Sequence, residues 1–293
     1  MGAVAVADDA GITSDPAVLP KPNVSVYWPW VLLLTAGAFA FWPLIERLPS
    51  VWFANETYYA HGSIIPFCSA FIIYDRLPRI RETPVNSAWW ALVPLLACLY
   101  VTDAAAGNST RMLLSCMLIV TALWATLFVG GFRQLRLFAA PIFYLAFGLP
   151  IWDNVIDRLT QPIQYVSTDG AFQLLRLAGQ HPFRADVSNI FLSNFSFDVG
   201  VPCSGLKLLL AVASIVVFFM LVAHLKLRAN LVLAVAALPL AILVNSVRIC
   251  MIGLVGNYFG SDAGHAFHDY SGYISLIICF GLLYKLTKTL GWR

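Results

Sequence analysis

The sequence predicts an all-α polytopic membrane protein: about eight transmembrane helices, with a small extracytoplasmic cap segment between spans 5 and 6. Three observations carry this. Of 293 residues, 60% are hydrophobic and only 11% charged, whereas soluble domains carry about 25% charged residues. Mean hydropathy is +0.78. The apolar residues gather into runs close to the roughly 20 residues that a helix needs to cross a bilayer. So little charge cannot cover the surface of a 32.2 kDa globule. That excludes an ordinary soluble enzyme, a disordered chain and a nucleic-acid binder, and the net charge of +3 is too small to argue for an anionic partner.

Residues 1–26 are polar or mixed and carry Asp8, Asp9, Asp15 and Lys21. They lack the basic start and small-residue cleavage site of a signal peptide, so they read as a disordered cytoplasmic tail. Residues 27–293 read as a single membrane domain. Its apolar runs fall at about 27–45, 57–75, 88–106, 112–130, 137–152, 204–224, 230–256 and 271–285. Orientation follows from the basic residues near the span ends. With the N-terminus inside, eleven of the 18 Lys and Arg residues fall on inner segments and five on outer ones. Both termini are therefore expected in the cytoplasm. Lys207 and Arg248 belong to neither group, because they lie within apolar runs.

The longest polar segment, 153–202, falls on the outer face. It opens as a mixed helix over Asp153–Leu177, where Val155, Leu159, Ile163 and Val166 recur at helical spacing. Towards Val199 it alternates apolar and polar residues as a strand does, and the region of Asn194 has the make-up of a hairpin turn. Some fifty residues are too few for a stable separate domain. The segment is expected to lie on the membrane surface as a cap over the later spans.

Three polar features stand out. Cys203 follows Pro202 at the start of the sixth run. A proline there belongs in the first helical turn, where free N–H groups and the helix dipole favour a thiolate; Lys207, four residues on, adds a positive charge. From position alone, a small cap residue beside a snorkelling lysine is the more ordinary reading. The other five cysteines, Cys68, Cys98, Cys116, Cys250 and Cys279, sit in apolar runs as small buried residues. The second feature is Asn245-Ser246-Val247-Arg248 in the seventh run. An arginine in a span costs at least about 2.5–3.5 kcal/mol on insertion scales. It suits an oxyanion or carboxylate, or a structural pairing with Asp103 or Asp269. The third is the stretch Asp262–Tyr273, read as an outer loop, with His265 and His268. Histidine is the usual base for a thiol. Cys203, His265 and His268 are also a conceivable zinc trio, but they form no diagnostic spacing, and no metal or cofactor is expected. Thiol, guanidinium and imidazole at one depth are the equipment of acyl transfer: nucleophile, oxyanion stabiliser and acid/base.

These motifs, in this order, resemble those of the exosortase/archaeosortase family of membrane transpeptidases. Cys203-Ser204-Gly205 is similar to the family's nucleophile motif, Asn245-x-x-Arg248 to its arginine motif, and His268-x-x-x-Gly272-Tyr273 to its histidine motif. Upstream, His61-Gly62 followed by Arg76 resembles its early His-Gly segment, and Phe147-Gly148-Leu149-Pro150 its phenylalanine/proline stretch. The resemblance spans about residues 55–285. Pro202 departs from the pattern, which commonly has an acidic or small residue there.

The resemblance implies a cysteine transpeptidase of the bacterial cytoplasmic (inner) membrane, with its site on the extracytoplasmic side. Cys203, Arg248 and His268 would be catalytic. Asn245, Lys207, His265 and His61 are assigned to substrate binding. Implied partners are secreted proteins ending in a Pro-Glu-Pro type motif, a hydrophobic helix and a basic tail, together with membrane lipids. A non-enzymatic transporter or polysaccharide-export component would account for Arg248 and Lys207 but leaves Cys203 without a role. Cysteine proteolysis without transfer would differ only in the acceptor.

Overall fold

The computed structural model describes residues 24–54, 57–106, 111–186, 188–200 and 205–292. The expected N-terminal tail lies almost wholly outside this range. The fold is all-α apart from one small sheet. It opens with α1 (Val24–Ala40), α2 (Trp42–Ile45) and α3 (Leu48–Trp52), and the path from α1 into α2 and α3 bends by 63°. A tight turn then leads to α4 (Ile65–Asp75) and α5 (Leu77–Glu82). Pro43, Pro49, Pro66 and Pro78 each stand in the first turn of one of these short helices, where a missing N–H costs nothing. The second apolar run therefore becomes helical only at Ile65, eight residues later than its hydropathy indicates.

α6 (Leu92–Ala106) and α7 (Arg111–Tyr144) follow. α7 holds the fourth and fifth apolar runs, broken at Gly131, where φ is +73° and ψ −178°. The same kind of break recurs between α10 (Leu227–Phe259) and α11 (Ser261–Thr289), at Gly260 with φ +93° and ψ 166°. Only glycine adopts this backbone freely, so in both places one residue turns one helix directly into the next. The stretch 261–270, expected as a loop, is consequently the first part of α11. Its polar residues hid the helix from a hydropathy reading.

Three helices are long and apolar enough to cross a bilayer, or four if the bent α1–α3 pair makes one crossing. α4, the α6 region and α9 (Leu206–Val222) are apolar but shorter. At 1.5 Å per residue the 11 residues of α4 reach only about 16 Å, half the thickness of a hydrocarbon core. Length and composition thus support three or four crossings among the described residues, and the other apolar runs form shorter helices.

α8 (Asp153–Leu177) begins and ends where its periodicity indicates. Its packed face differs from the marked one. Ile163 is buried, but Val155, Leu159 and Val166 are exposed, while Ile156, Thr160, Ser167 and Ala171 are buried. Small and hydroxylated residues allow closer helix contact than branched ones, and α8 uses them against α10. Ser246 Oγ donates to the Ser167 carbonyl at 3.1 Å, and a Cβ on Gly170 would stand 2.5 Å from Ser246 Oγ.

The cap sheet is antiparallel, β1 (Phe183–Arg184), β2 (Asn189–Phe191) and β3 (Ser196–Asp198), in that spatial order. The β2–β3 hairpin turns at 192–195, as the residues around Asn194 indicate. In the β1–β2 loop the Asp186 carboxylate accepts hydrogen bonds from the backbone N–H groups of Asn189 and Ser188, at 2.8 and 2.9 Å. These bonds hold its pKa down to about 2.

The hairpin is wedged onto α10 and α11. Phe195 is buried over Gly256 and Gly264, where an added Cβ would approach its ring to 2.3 and 2.9 Å. Asn194 N donates to Asn257 Oδ1 at 2.9 Å. The basic residues of α4–α5, the Gly131 break and the α9–α10 turn gather at the end of the bundle away from this cap. Arg76 donates to the Leu137 carbonyl, and Gln134 to the carbonyls of Ile80 and Thr83.

The interior divides into clusters. α9, α10 and α11 share one around Phe219, Leu233 and Leu283. α1–α3 and α7 share another around Phe41, Leu114 and Ile142. α4 joins the two, its Ile65 and Ile72 packing with Tyr144 of α7 and with Phe218 and Leu221 of α9.

Candidate active site

One turn of α10 makes contact with three neighbouring elements. Asn245 is fully buried and packs on Gly205, the residue that caps α9. Gly205 has φ +92°, and a Cβ there would stand 2.7 Å from Asn245 Nδ2. Ser246 holds α8, as described above. Arg248 turns to α11. Its Nε donates to Ser271 Oγ at 2.9 Å and its Nη2 to the His268 carbonyl at 3.2 Å. Ser271 Oγ in turn donates to that carbonyl at 3.1 Å.

Asn245 and Arg248, three residues apart on α10, thus tie the start of α9 to the third turn of α11. The motifs around positions 205, 245–248 and 268–272 meet at the cap end of the bundle. Cys203 and Ser204 lie outside the described residues; Gly205, the third residue of their motif, is the point that Asn245 touches. α9 starts at Leu206, because the positive φ of Gly205 is incompatible with a helix running through it; the turn expected at Pro202 and Cys203 lies outside the described residues.

Among the described residues no carboxylate forms an ion pair with Arg248. Asp103 is exposed on α6, and Asp269 lies 3.2 Å from His268 Nδ1 instead. The guanidinium is held by a hydroxyl and a backbone carbonyl, both neutral, so its charge is positioned without being neutralised. Gly272 leaves it open on one side: an added Cβ would sit 3.8 Å from Nη2.

The two histidines separate by environment. His268 is partly buried, its backbone carbonyl holding the guanidinium and its ring at hydrogen-bond distance from Asp269. His265 is exposed one turn earlier and meets the Phe195 ring edge-on at 6.0 Å. The histidine whose backbone carbonyl Arg248 holds is therefore His268. His61 comes from the other half of the chain. It is buried in the turn before α4, within electrostatic reach of Lys207. That turn is fixed by Gly62, whose Cβ position is occupied by the Trp52 indole, and Trp52 Nε1 donates to the Gly148 carbonyl at 2.7 Å. The early His-Gly segment and the Phe147–Pro150 stretch are thus brought together beside α9.

Ser271 was not among the sequence candidates. The signal for it was the spacing. On a helix a serine three residues after His268 places its hydroxyl beside that residue's carbonyl. In a loop the same spacing carries no meaning.

Among the described residues no group of three His, Cys, Asp or Glu side chains converges as a metal site would require; Cys203, part of the conceivable zinc trio, falls outside them. Comparison with the curated proteins and with the solved structures returned no match. Comparison with known families matched residues 52–285 to one described as transmembrane exosortase (Exosortase_EpsH). The match takes in every site residue named above, and the chain belongs to the transmembrane exosortase family.

Proposed function

We propose that this chain is a multi-pass cysteine transpeptidase of the bacterial cytoplasmic (inner) membrane, opening its site on the extracytoplasmic side. Its substrates are secreted proteins with a C-terminal Pro-Glu-Pro type motif, a hydrophobic helix and a basic tail. The observation that carries this reading is the α10 turn, where Asn245 reaches Gly205 while Arg248 reaches Ser271 and the His268 carbonyl.

The Cys203 thiolate attacks the scissile carbonyl and a tetrahedral oxyanion forms. A fixed guanidinium stabilises such charge most where water is excluded, and Arg248 supplies it. His268, protonated, gives its proton to the leaving amine as the C–N bond breaks, which leaves a thioester on Cys203. An acceptor amine of the envelope then attacks the thioester, His268 takes its proton, and the thiolate is released. Water in place of the amine gives hydrolysis. Lys207, His61, His265 and Asn245 are assigned to substrate contacts, and Asn245 also packs against the Gly205 turn.

Co-expression of a tagged substrate with the wild-type chain and with Cys203→Ala, Arg248→Ala and His268→Ala tests this. Wild-type chain is expected to give the shortened product, and each variant to lose at least about a hundredfold in rate, the scale of removing a base or an oxyanion donor. Normal processing by Cys203→Ala would overturn the assignment of the nucleophile. Activity in His268→Ala with loss in His265→Ala would exchange the histidines.

A further inference from the structure

Arg248 is held in an unusual way. The Nε–Nη2 edge of a guanidinium is a planar fork that ordinarily grips the two oxygens of a carboxylate. Here the two oxygens come from different groups, the hydroxyl of Ser271 at 2.9 Å and the carbonyl of His268 at 3.2 Å. They are set side by side because Ser271 Oγ donates its proton to the same carbonyl at 3.1 Å. The donation leaves a lone pair of the hydroxyl for Nε–H. Ser271 is also buried, 2% exposed, so water does not substitute for it.

A mid-helix serine bonded back to its own helix is common and needs no function. A buried one that also accepts from a cation carrying no acid partner among the described residues is a different arrangement. It copies the shape of a carboxylate without its negative charge. With that edge occupied, the orientation of the guanidinium plane is set, and Nη1 carries no hydrogen bond among the described residues.

We propose that Ser271 is a positioning residue of the transpeptidase site, which aims Arg248 at the oxyanion and keeps its full charge available. This rests on the function proposed above. It predicts a loss that appears in the chemical step, since an oxyanion exists only in the transition state and intermediate.

The test is kinetics on the purified full-length chain in proteoliposomes, with a synthetic peptide carrying the Pro-Glu-Pro motif and apolar helix, rates being expressed per folded molecule. Ser271→Ala is expected to lower kcat about ten- to hundredfold, the range for a hydrogen bond to a charged group, with KM within about twofold. Ser271→Thr, which retains the hydroxyl, is expected to restore most of the rate. If alanine leaves too little folded protein, the isosteric pair Ser271→Thr and Ser271→Val isolates the hydroxyl at constant volume, and only valine is expected to be slow. Equal kcat in threonine and valine variants, or wild-type kcat in folded Ser271→Ala, overturns the proposal. Arg248→Ala serves as the separate control: full activity there removes the reading of the site itself, whereas a dead Arg248→Ala beside a fully active Ser271→Ala removes only the role of Ser271.

Discussion

At position 205 any side chain meets two obstacles. The backbone has φ +92°, and a Cβ would stand 2.7 Å from Asn245 Nδ2. The conformation alone costs a non-glycine residue about 1–2 kcal/mol, and Asn245 is fully buried with little room to retreat. Gly205→Ala is therefore expected to move the turn next to Cys203 away from α10. Processing should fall at least about tenfold, with only a modest drop in melting temperature in detergent, because the core clusters of α9–α11 lie elsewhere. A variant that processes substrate at the wild-type rate would show that the Asn245–Gly205 contact has no bearing on the site. Position 272 behaves differently. Its glycine has space for a methyl group, and what it provides is an uncovered guanidinium.

Among the elements, the cap hairpin decides how α10 and α11 meet. Phe195 fills the space that Gly256 and Gly264 leave open, and Asn194 is anchored to Asn257. The hairpin therefore sits across the turn that sets the separation of Arg248 from His268. Gly256→Ala is expected to expel the Phe195 ring and lower the melting temperature by several degrees, as a loss of roughly 1–3 kcal/mol from overpacking does. In a Phe195→Ala background the same glycine substitution should cost much less, since the clash has been removed. Equal losses in the two backgrounds, read from thermal melts, would place the destabilisation somewhere other than this contact. α8, the hairpin turn near Asn194 and the apolar runs were legible in the sequence, because periodicity and turn composition mark them directly. The start of α11 was not. Its residues 261–270 are mostly polar and exposed, with only Gly264 buried, against Phe195, and a hydropathy reading does not mark a helix that has so small an apolar face. The packed face of α8 was missed for a related reason: Thr160, Ser167 and Ala171 are poor hydrophobic markers but good surfaces for close helix contact.

For the whole molecule, scarcity of charge was the most informative property. The cluster of basic residues at the end away from the cap, with Arg76 and Gln134 fastened to backbone carbonyls there, matches the division that the positive-inside rule predicted. A reporter active only outside the cytoplasm is expected to be silent when fused after Arg293 and active when inserted in the β1–β2 loop of the cap; the reverse pattern would invert the proposed orientation. The order of the site motifs was legible along the chain, and so was the exceptional status of Arg248 and Lys207. What bound Arg248 was not legible, because a serine and a backbone carbonyl leave no charge signature. The reading of Cys203, Arg248 and His268 as one acyl-transfer site is tested most directly by intact-mass analysis of the chain after brief exposure to substrate and acid quenching. A hydroxylamine-sensitive adduct of the substrate's N-terminal fragment is predicted on Cys203 in the wild-type chain, greatly diminished in Arg248→Ala and absent from Cys203→Ala. Product formation at the wild-type rate by Cys203→Ala, with no adduct on the wild-type thiol, would contradict it.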